Sequence, residues 1–226
     1  MKYVAFSGGL DSAYVVLKYI LNGETVQPIY VKREGVFNKI QIQCLNKFVT
    51  HFEKIKEPIF IDVIERKRSK EIQNEIKKFD NKGINIFRDE TTGSSVIWHY
   101  DILNTLIEYT NTHDIEISIG CEKDSRLITD MLNNIEIKNK KIIQSELYFM
   151  NRIVWANCDK TKRECVEDIK NVDFDLLNFM FENTVSCRNI LNYKKTKKYC
   201  NKCIKCLEIH NSKIHHYINL NRLNLL

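Results

Sequence analysis

Short apolar runs alternate along this chain with longer segments whose apolar residues recur at helical spacing. The first run, Met1 to Phe6, predicts a strand, and Ala13 to Leu21 predicts the helix that follows it. Val26 to Val31 (VQPIYV) predicts a second strand and Phe37 to Phe52 an amphipathic helix. Pro58 to Ile64 (PIFIDVI) predicts a third strand, Lys67 to Phe79 a polar helix, and Asp80 to Ser94, with Gly83 and Gly93, a loop. Ser95 to Thr110 is helical in period, with Ile97, Leu103, Leu106 and Ile107 along one face. Ile115 to Ile119 (IEISI) predicts a fourth strand ending at Gly120. Strand and helix signals in alternation predict an α/β fold built on a doubly wound parallel sheet. Ligands of such sheets lie beyond the carboxyl ends of the strands, so the loops after Phe6, Val31 and Ile119 are the places to look.

From about Lys140 the pattern changes. Val154-Trp155 predicts a last strand or edge, and Thr161 to Ile169 and Phe174 to Phe181 predict two helices. The stretch from Val185 to Tyr217 is organised around cysteines. The expected division is a nucleotide-binding domain over residues 1–182 and a C-terminal four-cysteine module over 183–226, packed on it.

The strongest candidate for chemistry joins the first strand to the first helix. Ser7-Gly8-Gly9-Leu10-Asp11-Ser12 places two glycines where the backbone must turn tightly and come close to a ligand. Ser7 and Ser12 add hydroxyls, and the new helix presents unpaired N–H groups at its positive end. Together they form a cradle for an anion, most naturally a phosphate. Neither GxxxxGK[ST] nor GxGxxG is present. The hexapeptide resembles the pyrophosphate loop of the ATP pyrophosphatases, in which the loop grips the pyrophosphate of ATP while the α-phosphate is attacked. That resemblance implies that Ser7, Gly8, Gly9, Leu10, Asp11 and Ser12 bind nucleotide, with Asp11 near the magnesium-bound phosphates. The plain alternative is a glycine-rich turn without a ligand.

Composition sets bounds. The 226 residues are 43% hydrophobic and 10% aromatic, enough for an ordinary core. No apolar run is long enough to span a bilayer and no leader precedes the first strand, so a cytoplasmic protein without a membrane partner is expected. Lys and Arg number 35 against 29 Asp and Glu, a net charge of +6. That excess suits a polyanion such as ATP and permits RNA contact, but a lysine-rich surface is the plainer reading. Nucleic acid is not expected as a direct partner. The charged run Tyr193 to Tyr199 (YKKTKKY) reads first as a solvated loop inside the cysteine module and second as a contact for phosphate or RNA.

Eight cysteines in a cytosolic chain point to metal or catalysis before disulfides. Cys44, Cys121, Cys158 and Cys165 are isolated and read as small buried hydrophobes. Cys187, Cys200, Cys203 and Cys206 have spacing C-x12-C-x2-C-x2-C. Four thiolates that close a tetrahedron describe a structural Zn2+ site. An iron–sulfur cluster is the rival, because C-x2-C-x2-C also occurs in ferredoxins. His210, His215 and His216 lie just beyond, and with four thiolates they are not needed as ligands.

Taken together, the first loop and the last four cysteines resemble the QueC-type 7-cyano-7-deazaguanine synthases. Asn183-Thr184-Val185-Ser186-Cys187 and Cys200-Asn201-Lys202-Cys203-Ile204-Lys205-Cys206 match that family in order and position. Thr161-Lys162-Arg163-Glu164 is similar to its TKAE segment, and Gly120 to Ser125 to the glycine-led loop after its fourth strand. The resemblance implies an ATP-dependent carbon–nitrogen ligase that adenylates a small-molecule carboxylate. Ammonia then converts it to an amide and a nitrile. It further implies Lys162 as a charge-neutralising group and Val31 and Gly120 at the nucleotide. Magnesium would bridge the phosphates, and a homodimer would be compatible with the family's habit.

The substrate loops depart from the family. Lys32-Arg33-Glu34-Gly35 keeps only the basic character of a Gly-Gln-Arg-His-like stretch, Thr92 to Ser95 replaces Pro-Gly-Arg-Asn, and Ser125 to Asp130 is shortened. Three alternatives therefore stand beside 7-cyano-7-deazaguanine synthesis. They are a diverged relative acting on another acid or amine, a tRNA-modifying adenylating enzyme, and a nucleotide-binding scaffold without turnover.

Overall fold

The computed structural model describes residues 1–32, 36–64, 97–121, 152–157 and 159–186, together with Cys206 and Ile209. In chain order the described elements are β1 (Lys2–Ala5), α1 (Leu10–Leu21), β2 (Val26–Lys32), α2 (Val36–His51) and β3 (Ile59–Asp62). They continue with α3 (Ile97–His113), β4 (Ile117–Gly120), β5 (Ile153–Ala156), α4 (Lys162–Val172) and α5 (Phe174–Glu182). The helix expected over Lys67 to Phe79 and the loop over Asp80 to Ser94 lie outside the described residues.

The five strands form one sheet in the order β3-β2-β1-β4-β5, and every pairing is parallel. The α/β architecture is as expected and is consistent with a doubly wound fold. From β1 the chain steps outward through β2 to β3, then returns to the opposite side of β1 as β4 and β5. The direction of winding therefore reverses between β1 and β4. On open parallel sheets that reversal leaves a crevice at the carboxyl edge.

Alternating side chains fill two cores, as the two-residue period of a strand requires. Val4, Val26 and Tyr30 face one side, with Phe6 just beyond β1, and pack with Leu17 of α1, Leu45 and Phe48 of α2, Ile169 of α4 and Leu177 of α5. Tyr3, Ala5, Ile29, Val31, Ile117 and Ile153 face the other side, against Leu103, Leu106 and Ile107 of α3. Strands sandwiched in this way read as continuous apolar runs, which is why VQPIYV carries no alternation.

The first core also holds the carboxyl end of β1 in place. The Phe48 ring lies 5.2 Å from Phe6 and 5.1 Å from Phe179 by centroid, so β1, α2 and α5 meet there. Val185, Cys206 and Ile209 are buried in the same cluster, bringing residues on the C-terminal side of α5 into the main core. Cys44, Cys121 and Cys165 are buried, as their isolation predicts, while Cys158 lies outside the described residues.

Candidate functional site

Ser7, Gly8 and Gly9 leave the end of β1, and α1 begins at Leu10, three residues before the helix expected from Ala13. The reason is packing. Leu10, Ala13, Tyr14 and Leu17 are all buried and follow helical spacing, so Asp11 and Ser12 belong to the first turn rather than to a loop. Gly9 is extended at the helix start, with φ −92° and ψ 166°. Gly8 has φ +75°, the left-handed region that favours glycine. A side chain on Gly8 would also crowd α2, because its Cβ would lie 3.1 Å from Gln41 Cα.

Hydroxyls hold the turn together. Ser7 N donates to Ser12 Oγ at 3.1 Å, Ser12 Oγ donates to the Gly9 carbonyl at 3.0 Å, and the two serine hydroxyls are 3.2 Å apart. A third serine comes from the far end of the domain. Leu10 N donates to Ser186 Oγ at 3.1 Å, and Val185 N donates to the Gly8 carbonyl at 2.8 Å.

The neighbouring strands deliver the remaining parts. Gly120 ends β4, where a Cβ would fall 2.4 Å from the Asp11 carbonyl oxygen. Only glycine lets β4 approach the first turn of α1 so closely. Val31 lies two residues beyond the Ala5–Ile29 pairing, level with Ser7, but its side chain is spent in the core on the α3 side. Its backbone is thus the part nearest the expected nucleotide edge.

Lys162 opens α4 immediately after the N-cap Thr161, which forms a capping box with Glu164. Its ammonium pairs with the Asp11 carboxylate, and the lysine is buried to 6% exposure. It is therefore no ordinary surface helix lysine. The site brings Ser7, Gly8, Gly9, Leu10, Asp11, Ser12, Gly120 and Lys162 together from separate parts of the chain.

A second polar group braces α1 against α4. Tyr14 donates its phenol proton to Asp168 Oδ2 at 2.5 Å, and Lys160 pairs with the same carboxylate. Burial, reinforced by the bond to Asp168, pushes the Tyr14 phenol far above the usual tyrosine range. For Asp168, burial pushes the carboxyl up, but the bonds from Lys160 and Tyr14 outweigh it and leave it below the usual carboxylate range. The bond to Asp168 raises the Lys160 ammonium despite its partial desolvation.

Between these groups lies a cavity of about 10 Å3, lined by Asp11, Tyr14, Asn157, Lys162 and Cys165 among others. It has room for roughly one water molecule and cannot admit a nucleotide. A larger hollow of about 230 Å3 lies between β3 and α3, lined by Asp62, Tyr109 and His113 among others. None of its lining residues belongs to the glycine loop, so volume is a poor guide here. The carboxyl edge at Ser7 to Ser12 is the better candidate for a phosphate chain.

Of the expected metal ligands, Cys206 is buried in the first core. Cys187, Cys200 and Cys203 lie outside the described residues. Among the described residues no group of three or more His, Cys, Asp or Glu side chains is placed to hold a metal ion. Nor is any described helix long and apolar enough to cross a membrane.

The contacts from Ser186, Gln41 and Tyr14 were not legible as site contacts from composition or period. Tyr14 sits at the right helical spacing to be buried, but nothing local marks its partner. No protein-family model matches the chain, and neither does any curated protein.

Proposed function

We propose that this protein is an ATP-dependent ligase that adenylates a carboxylate and joins it to ammonia. The substrate that best fits the sequence resemblance is 7-carboxy-7-deazaguanine, with 7-cyano-7-deazaguanine as product. The observation that carries the reading is the convergence of Ser7 to Ser12 with Lys162 at the carboxyl edge beside the β1–β4 reversal. A backbone cradle and a buried cation at one sheet edge suit a chain of phosphates better than a neutral ligand.

In this reading the substrate carboxylate attacks the α-phosphorus of ATP, and pyrophosphate leaves toward the Ser7 to Ser12 cradle. Ammonia then attacks the activated carbonyl and AMP departs, leaving the amide. Forming the nitrile removes the amide oxygen and calls for a second activation by ATP. Lys162 would offset negative charge developing on the phosphates or the acyl-adenylate, and Asp11 would keep that ammonium oriented. Magnesium, arriving with ATP, would supply charge neutralisation at the phosphates. The residues fit that role, since Asp11 offers a hard carboxylate in the first turn of α1.

The donor chemistry of Cys187, Cys200, Cys203 and Cys206 fits zinc, which prefers four thiolates in a closed structural site. Zinc there would supply stability rather than catalysis. Cys206, buried in the first core, is where such a module would anchor to the body.

Incubation with 7-carboxy-7-deazaguanine, ammonium, ATP and magnesium tests the reading. AMP and pyrophosphate are the expected products. ADP would point to phosphoryl transfer instead. Nucleotide binding without any turnover on this acid would favour the scaffold reading or another substrate.

A further inference from the structure

Three serine hydroxyls surround the turn after β1, and their protons are committed differently. Ser12 Oγ accepts from Ser7 N and gives its proton to the Gly9 carbonyl. With that proton spent, the 3.2 Å contact between Ser7 and Ser12 is made by the Ser7 proton. Both protons therefore stabilise the turn itself. Ser186 differs: its Oγ accepts from Leu10 N at 3.1 Å, and among the described residues its own proton has no recorded acceptor. A hydroxyl that accepts from an N–H is polarised toward donating its own proton.

Its position matters as much as its proton. A Cβ built on Gly9 would lie 3.5 Å from Ser186 Oγ and 3.6 Å from Ser7 Oγ, so the two hydroxyls flank the open face of that glycine. The segment carrying Ser186 is fixed rather than loosely placed. Thr184 is fully buried with its hydroxyl donating to the Met180 carbonyl, Val185 is buried, and Val185 N is bonded to Gly8.

Resting on the proposed nucleotide reading, we infer that Ser186 is a phosphate-binding residue of this site, donating its hydroxyl proton to an oxygen of the pyrophosphate group of ATP. The cradle is then built from both ends of the domain. Residues 7–12 supply backbone and shape, and the segment after α5 supplies the hydroxyl proton that the turn does not use. Only a hydroxyl that accepts from Leu10 N while donating outward does both tasks, so a side chain of equal shape without oxygen should fail.

The test compares Ser186→Thr with Ser186→Val, which share a shape and differ in the hydroxyl, alongside Ser186→Ala. Binding of inorganic pyrophosphate and of ATP with magnesium is measured by calorimetry, with thermal melting to show that each variant is folded. The wild type and Ser186→Thr should bind alike, while Ser186→Val and Ser186→Ala should lose about tenfold in affinity. If the wild type binds and the Val and Ala variants bind equally well or more tightly, Ser186 only caps Leu10 N and the inference is wrong. If the wild type binds neither ligand, the nucleotide reading itself fails and this inference falls with it.

Discussion

Two lysines only two residues apart, at and just before the start of α4, each pair with an aspartate, and the two pairs differ in setting. Lys162 and Asp11 have side-chain exposures of 7% and 23%, whereas Lys160 and Asp168 have 32% and 41%. An ion pair that keeps its water gains little, because solvent screens the attraction. Burying an ammonium is costly, and packing alone would select an apolar side chain in its place. The Lys160–Asp168 pair, with Tyr14, reads as a brace between α1 and α4. The Lys162–Asp11 pair sits beside the turn proposed to hold phosphate, where a desolvated cation would be worth most to a developing negative charge. Burial, rather than the presence of an ion pair, separates the candidate catalytic pair from the brace.

Breaking the buried pair should have the largest effect. Asp11→Asn leaves a desolvated ammonium without its carboxylate, and should lower turnover by at least about 100-fold and stability by about 3 kcal/mol. Steady-state AMP formation and urea unfolding read the two separately. A variant with full turnover would remove Asp11 from the catalytic machinery.

Next comes the glycine that lets β4 reach that pair. Gly120→Ala forces a methyl group to 2.4 Å from the Asp11 carbonyl oxygen, so strand or helix must move. A loss of about 3 kcal/mol is expected, or roughly 6–12 °C in Tm. A melting temperature within a degree of wild type would mean that β4 and α1 do not pack as described.

The brace should yield the smallest effect and a pH signature. Tyr14→Phe removes one bond to Asp168 and should cost about 1 kcal/mol near neutral pH, with turnover kept. The Asp168 carboxyl is held below the usual carboxylate range, so its stabilising contribution is present above its unfolded pKa and lost as pH falls through its folded value. Lys160 is shifted upward, so its share is complete below its unfolded pKa and lost as pH rises through its folded value. Without Tyr14 the Asp168 carboxyl rises, and acid unfolding should begin at higher pH than in the wild type. An unchanged acid limb would show that the bond does not bias Asp168.

Local features of this fold are legible in the sequence, and long-range ones are not. The expected strands Val26 to Val31 and Ile115 to Ile119 overlap the observed Val26–Lys32 and Ile117–Gly120, because runs buried on both faces must be apolar throughout. The turn Ser7 to Ser12 is local, with its glycines, hydroxyls and helix start within six residues. α1 starts three residues before the expected Ala13, because Asp11 and Ser12 interrupt the apolar run while Leu10, Ala13, Tyr14 and Leu17 keep the helical period. The third strand is shorter than expected, Ile59–Asp62 rather than Pro58 to Ile64. Partners of Leu10 N and Asp11 lie 176 and 151 residues away, and no spacing rule reaches that far. Lys162 could be singled out only through family resemblance, and its burial came from the fold. The proposed metal module is a case where spacing speaks clearly and Cys206 alone has a described position.

In the proposed reaction a carboxylate oxygen attacks the α-phosphorus of ATP held at Ser7 to Ser12. Substrate labelled with 18O in its carboxyl group tests this most directly, with ammonium, ATP and magnesium present. AMP carrying one 18O atom is expected, since the bridging oxygen leaves with the adenylate when ammonia attacks the carbonyl. Unlabelled AMP, or ADP with the label in inorganic phosphate, would contradict it.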